Sequence, residues 1–385
     1  MSRRGHVVMH FGDGNTIDAW DSLDWKENFT EPLGDVTFEV RPPRQQFKDY
    51  RKRLQKGELV TILINGVNQG RFLINETETT IGDDGCGIRI SCHTPLITPY
   101  EGNVDPDLSL STTADVPVLN AVLQAMKPYG FTRIVGDAAS NVAAMSGRPL
   151  GGQVPAVNVQ ALKHRDAVAH EGETAYAFCS RIFTRLGCAL RVNAQGTLMV
   201  SAPLYEQAVN DTLRQSFTGG KSGDYFIGEV KIHDSNAGQF SEYVVRGQRS
   251  LDDSDLTARP NIRVTEAEIH PNRPSYQSTA APYKPKVFKD HSSRDKQRAK
   301  NVALLESGLR AQKAFHITGE VDGFVSSTGR IWQTDMMVRV VIEAADIDEA
   351  MWILEVRRRQ DAKGGQRTAF KLLPKGALVL GEQPE

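Results

Sequence analysis

Cysteine is scarce in this sequence, with 4 residues among 385. They are Cys86, Cys92, Cys179 and Cys188, and none forms the Cys-x-x-Cys pair that is typical of zinc and redox sites. A chain of this length buries about three quarters of its unfolded surface, so its core needs no disulfide or metal. We therefore expect reduced thiols that pack in the interior of a protein made in the cytosol.

Long apolar runs and an excess of one charge are also missing. The apolar segment around Val338 is interrupted by Arg339 and falls far short of the ~20 residues that span a bilayer. His6 and His10 break the N-terminal apolar stretch, which argues against a signal peptide. Lys and Arg total 46 against 47 Asp and Glu, a net charge of −1. We expect a water-soluble globular protein without membrane insertion, whose overall charge favours no partner.

Strand patterns dominate the first hundred residues, where apolar and polar residues alternate between turn signals. The alternation is clearest at residues 35–40, 59–64, 71–74 and 87–91. An Asp-Gly step at Gly85 predicts a hairpin turn before the last segment, because glycine adopts positive φ at low cost. The region is predicted to be a small antiparallel barrel or sandwich.

The rest of the chain alternates between helical, strand and irregular patterns. Helical spacing of apolar residues predicts helices at 118–126 and 173–186, and the second is followed by a hairpin pattern at 188–200. Five prolines between 259 and 286 predict an extended arm, and a polar helix is predicted from Ser293 to about Phe315. The remaining strand patterns lie at 230–232, 243–246, 337–342, 352–356 and 368–373.

The β pattern occurs twice at a nearly constant offset. At 279 residues, segment 59–64 falls on 338–343, Phe72 falls on Met351, and Gly85 falls on Gly364. At 205 residues, Trp25 falls on Val230 and Phe38 on Tyr243. Any two meanders can be slid into register, but here the turn glycines align together with the apolar residues. Two similar barrels in one chain would let three copies present six near-equivalent faces.

These patterns together predict a β-rich α+β protein with several domains. The predicted divisions are a first β-barrel domain at 1–100, a helical and loop connection at 101–168, an α+β domain at 169–226, a second β-barrel domain at 227–258 and 316–385, and an inserted Pro-rich arm and polar helix at 259–315.

Motifs that carry chemistry are weak throughout the chain. Residues 218–222 imitate the end of a phosphate-binding loop but lack its first glycine, and the glycines at 82, 85 and 87 lie in a hairpin without a following helix. Residues 252–255 lack the glycine and distal glutamate of a calcium loop. Alternation along a strand turns Cys86 and Cys92 away from His93, which disfavours zinc.

A histidine and carboxylate cluster is the remaining candidate for acid–base chemistry. It consists of His164, His170, Glu171 and Glu173. The simpler explanation is that the two glutamates stabilise the positive end of the following helix. The sequence contains neither a Gly-x-Ser-x-Gly elbow nor a His-Glu-x-x-His motif. We therefore predict no catalytic, cofactor-binding or metal-binding residues, no cofactor, and no enzymatic activity.

Basic residues concentrate in two short segments. Residues 41–56 contain seven Lys and Arg against the single Asp49. Such a run is a solvated helix face, a patch for an acidic neighbour, or a contact to DNA. In the second segment, alternation along a strand places Arg358 opposite Arg357 and Arg359. If both strand faces accept arginine, one of them is predicted to be a subunit interface.

The order and spacing of three passages resemble the baseplate hub proteins of contractile phage tails, namely the Mu-like hub and late control gene D group. The passages are residues 170–200, residues 240–248, and residues 329–332 with the late segment 364–368. The similarity runs over nearly the whole chain and is clearest from about residue 168. Residues 92–95 depart from the family pattern, which leaves the connection after the first barrel open.

The resemblance implies a non-enzymatic structural hub of a phage tail baseplate. Its implied form is a homotrimer whose six barrels make a pseudo-sixfold ring between a trimeric spike and a hexameric tail tube. The implied partners are further copies of the chain, the tail tube protein, the spike protein and other baseplate proteins, with DNA passing through the lumen during ejection. The implied location is the virion tail, after assembly in the host cytoplasm.

Two other functions stay open at this stage. A cell-wall-degrading or carbohydrate-binding tail protein would need a carboxylate pair or an exposed aromatic platform, and the four tryptophans instead follow strand patterns. The hub part of a type VI-like secretion spike would continue into long β-helical repeats, which this sequence does not contain.

Overall fold

A computed structural model describes the chain over residues 4–83, 85–105, 118–135, 169–184, 189–201, 203–216, 224–236, 240–247, 261–265, 283–290 and 302–377, the last range with gaps at 304–305, 309, 311–312 and 363. The predicted phosphate-loop imitation at 218–222, the acidic run at 252–255, His164 and Cys188 lie outside these residues. Most of the predicted polar helix also lies outside them.

Seven strands and one short helix form the first barrel. They are β1 (Val7–His10), β2 (Thr16–Ile17), β3 (Ser22–Asn28), β4 (Asp35–Val40), α1 (Phe47–Arg53), β5 (Leu59–Ile64), β6 (Val67–Gly82) and β7 (Gly85–His93). The strand order is β3-β4-β7-β6-β5-β1-β2. Alternate residues of each strand enter one core that includes Trp25, Phe38, Ile62 and Ile90. The sequence prediction of an antiparallel barrel here is confirmed.

The middle of the chain forms a small α+β unit. Its elements are α2 (Ile97–Glu101), α3 (Val118–Met126), β8 (Ile134–Val135), α4 (Ala175–Thr184), β9 (Ala189–Val192) and β10 (Leu198–Ser201). β9 and β10 form the predicted hairpin, and β8 runs parallel to β10. Phe178 and Ile182 of α4 pack against Leu190 and Leu198 of the hairpin, because their fourfold spacing places them on one helix face.

The second barrel and an inserted sheet complete the chain. Their strands are β11 (Thr212–Gln215), β12 (Asp224–Asp234), β13 (Glu242–Gly247), β14 (Asn261–Thr265), β15 (Pro285–Asp290), β16 (Phe315–Asp322), β17 (Met337–Ile342), β18 (Ile347–Asp361) and β19 (Gly365–Pro374). Six of them close a barrel in the order β17-β11-β12-β16-β19-β18, with β18 returning to β17. β13, β14 and β15 form a separate sheet.

The separate sheet corrects two sequence predictions. Tyr243 lies on β13, outside the second barrel, so the predicted match of Phe38 with Tyr243 is wrong. The strand pairing makes β16 the counterpart of β4, because both lie between a first strand and the last strand of the meander. The proline-rich segment 259–286 is also less irregular than predicted, since Asn261–Thr265 pairs with β13 as a regular strand.

The internal duplication is present, but its offset is not constant. Val60 pairs with Phe72 as Val338 pairs with Met351, and Ile74 pairs with Cys92 as Ile353 pairs with Leu372. The offsets are therefore 278 for β5 to β17, 279 for β6 to β18, and 280 for β7 to β19. Both meanders carry a bulge at the same place, after Ile74 in one and after Ile353 in the other. A uniform 279 would exchange core and surface on two strands out of three.

Candidate assembly surfaces

The two barrels join edge to edge within one sheet. Glu355–Asp361 of β18 pairs antiparallel with Ser22–Asn28 of β3 over seven residue pairs. The pairing fuses both barrels into a 13-stranded sheet. We call this contact the intrachain junction. Its backbone hydrogen bonds consume one edge of each barrel, which otherwise would be open to association.

A buried arginine fills the core side of the intrachain junction. Arg358 is 0% exposed, and its guanidinium lies 4.7 Å from the ring centroid of Trp25. Its Nη2 donates to Glu27 Oε2 at 3.3 Å and to the carbonyl of Trp332. A buried charge is tolerated when it is paired and stacked in this way. Removing the partner on either barrel would leave the guanidinium uncompensated.

Ion pairs cover the solvent side of the intrachain junction. Arg357 Nε donates to Asp24 Oδ1 at 2.8 Å, and this hydrogen bond raises the pKa of the guanidinium. Arg359 Nη1 lies 3.5 Å from Glu320 Oε1. The predicted alternation of the three arginines is therefore confirmed. The predicted subunit interface at this site is wrong, because the neighbouring strand belongs to the same chain.

Two further strand edges have no partner in the described part of the chain. Residues 76–82 of β6 pair with β7 on one side only, since β5 ends its pairing at Leu73. Residues 227–233 of β12 follow the same pattern, because β11 pairs only with Asp224 and Tyr225. Exposed edges of this length are templates for strand addition.

The basic segment 41–56 folds into α1 and its flanks. Phe47 and Leu54 are buried and anchor the segment to the first core. The charged residues point outward, and those exposed on the helix are Lys48, Asp49, Arg51, Lys52 and Arg53. Arg44 Nη2 donates to the carbonyl of Asp83 at 2.8 Å. The second barrel has a loop at 323–336 in place of this helix, so the basic face occurs once per chain.

A polar cavity of about 130 Å³ lies where both barrels and the α+β unit meet. Asp335 lines it and accepts hydrogen bonds from Leu204 N at 2.9 Å and from Trp352 Nε1 at 2.8 Å. Burial raises the pKa of Asp335 to about 6, and the nearby Arg191 opposes that rise. Ser201 also lines the cavity, and its buried hydroxyl has no protein partner. Such a cavity holds a few ordered waters between domains.

The candidate chemical residues have structural contacts instead. Glu173 binds Arg181 through Nε at 2.8 Å and accepts from the His170 backbone N–H at 2.9 Å. Burial opposes the ionisation of Glu173, but these hydrogen bonds outweigh it and hold its pKa below the ordinary value. Gly85 has φ +136° and pairs with Gly82 at the hairpin end, as a turn requires.

The thiols are packing residues where the structure describes them. Cys92 is buried in the first core and Cys179 in the α+β core, and burial raises the pKa of both thiols. Within the described ranges, no three His, Cys, Asp or Glu side chains converge on a metal-sized site. No helix among those residues is long and apolar enough to span a membrane.

Sequence reasoning missed the features on which assembly depends. The free edges follow from pairing that stops partway along β6 and β12, which no local pattern reveals. The Asp335 cavity brings together segments more than 100 residues apart, as the contact from Leu204 shows. The length of β6, 16 residues against 6 in β5, was the available signal for an overhanging edge.

Comparison with known proteins supports a tail-protein fold. No protein-family model matches the chain, and no curated protein matches it. Among solved structures, a tail protein from Neisseria meningitidis MC58 superposes with a TM-score of 0.74 at 18% identity, covering 97% of this chain and 98% of that one. The 43 kDa tail protein of prophage MuSo2 from Shewanella oneidensis gives 0.71 at 15% identity, covering 97% and 99%.

A more distant structure extends the comparison. Prophage tail protein gp18 from Listeria monocytogenes EGD-e gives a TM-score of 0.53 at 12% identity, covering 95% of this chain and 94% of that one. Identities this low establish the fold alone. Over nearly its whole length, the chain has the fold of these phage and prophage tail proteins.

Proposed function

We propose that this protein is a structural component of a phage tail and serves as the hub of its baseplate. Three copies would form a ring of six barrels, which matches a trimeric spike at one face and a hexameric tail tube at the other. The observation that carries the proposal is the duplicated barrel joined edge to edge within one sheet. The tail-protein fold of the similar structures supports it.

The proposed mechanism is geometric rather than catalytic. Two barrels in fixed orientation give each chain two similar faces, so that threefold symmetry of chains becomes approximate sixfold symmetry of barrels. The buried Arg358 and the seven-residue strand pairing would hold that orientation. DNA would pass through the lumen of the ring during ejection, and the virion tail would be the site of action after assembly in the host cytoplasm.

Light scattering and electron microscopy test the proposal together. Three chains of 42.5 kDa should give a particle of about 128 kDa at micromolar concentration. Class averages viewed down the symmetry axis should show a ring with six barrel-sized lobes. A monomer under all salt conditions, or a closed dimer or tetramer, would refute the proposed ring.

A further inference from the structure

The two free edges occupy the positions that join the barrels inside the chain. By the offset of 279, residues 76–82 of β6 correspond to residues 355–361 of β18. The cross-strand partners of β3 and β12 on their neighbours place Trp25 at the position of Ile232 and Asp24 at that of Lys231. Each barrel thus has both halves of the junction, but the chain uses only one half of each.

The charges at the free edges are complementary and reversed relative to the intrachain junction. Arg357 on β18 binds Asp24 on β3. The corresponding residues on the free edges are Glu78 on β6 and Lys231 on β12. Both are exposed. Lys231 has only a distant pair with Glu229, at 3.7 Å, among the described residues. A second ion pair would therefore form if the two free edges met in the same register.

Apolar residues at the free edges lack the cover that the intrachain junction provides. Trp25 is 0% exposed beneath Arg358, whereas Ile232 at the corresponding position is 40% exposed. Ile81 near the end of β6 is 69% exposed. In the same register, Thr79 of one copy would lie opposite Ile232 of another and would bury it.

We propose that β6 of one copy pairs antiparallel with β12 of the next, repeating the intrachain junction between chains with Glu78 bound to Lys231. This interface rests on the proposed trimeric ring and specifies how the ring closes. The contact is heterologous, with a different surface on each side, so it closes only as a ring of copies. Successive junctions would then alternate between intrachain and interchain around six barrels.

Charge exchange tests the proposed ion pair. Glu78→Lys and Lys231→Glu should each weaken trimer formation, measured by sedimentation equilibrium. An exposed ion pair contributes about 0.2–1 kcal/mol, and three equal interfaces give roughly a tenfold to hundredfold loss in the trimer association constant. The double exchange should restore most of it. Lys48→Glu and Glu171→Lys, exposed residues outside both edges, provide matched controls that should change little.

Cysteine cross-linking tests the register without relying on charge. Thr79→Cys with Ile232→Cys should form interchain disulfides under mild oxidation and give covalent trimers on a non-reducing gel. Thr80→Cys with Ile232→Cys places one thiol on the other strand face and should not cross-link. If light scattering shows trimers but neither the cross-link nor the charge rescue is seen, the interface is wrong and the ring stands. If the wild-type protein is monomeric, the proposed function fails first.

Discussion

Asp335 should make the stability of the protein depend on pH in a direction opposite to that of an ordinary surface carboxylate. Its carboxyl faces the cavity at the meeting of three units, and its pKa is about 6 against 3.8 for the free group. The charged groups around it are Arg191 on β9, Glu27 on β3 and Arg330 on the loop before β17. Because the folded pKa is raised, the folded state binds more protons than the unfolded state between these two values.

The sign follows from that difference in bound protons. The free energy of unfolding should rise as pH falls from about 7 to about 4, and the contribution of Asp335 should disappear once the pH is above 6. A shift of about two pKa units corresponds to about 3 kcal/mol over the whole window. The reference protein is Asp335→Asn, because asparagine tolerates the φ of 65° and keeps an oxygen to accept from Leu204.

Urea denaturation at several pH values measures the effect. Tryptophan fluorescence is a suitable signal, since Trp352 donates to Asp335. Wild-type protein should gain stability relative to Asp335→Asn as the pH is lowered, while light scattering confirms the same oligomeric state at each pH. If the two proteins change in parallel between pH 7 and 4, Asp335 is not buried as an ion and the argument is refuted.

The remaining predictions concern packing and one ion pair. Gly319→Ala should lower the urea midpoint by the equivalent of about 1–3 kcal/mol, because a Cβ there would lie 2.6 Å from Phe226 Cδ1. Gly87→Ala is its control, since the nearest atom is 3.9 Å away, and equal losses in both variants would contradict the packing argument. Glu173→Gln should cost about 1–3 kcal/mol at pH 7 and nothing at pH 2, because the depressed pKa of Glu173 is a stabilising contribution that is lost on acidification; a pH-independent difference would exclude the ion pair with Arg181.

Local patterns predicted most of the strands, and long-range pairing determined what they build. The alternation at 35–40 and 59–64 identified β4 and β5 because one face of each is buried. The pattern around Tyr243 is equally strand-like, yet its residues pair with β14 and β15. Period-two alternation specifies two faces but not which neighbours a strand has.

The site was harder to predict than the fold. Alternation placed Arg358 on the opposite face from its neighbours, but the aromatic ring that covers it comes from Trp25, more than 300 residues away. The shift from 278 to 280 across the meander was also hidden, because one residue gained in each turn leaves the local pattern intact.

The exchanged charges at Arg357–Asp24 and Glu78–Lys231 determine which mixtures of halves can form. A contact between two first barrels would bring Glu78 toward Asp24, and one between two second barrels would bring Arg357 toward Lys231. Both encounters are repulsive, so separated halves should refuse to form six-membered rings of their own kind. A phage that evolved one tethered polypeptide from two identical subunits would keep strict alternation by this means alone.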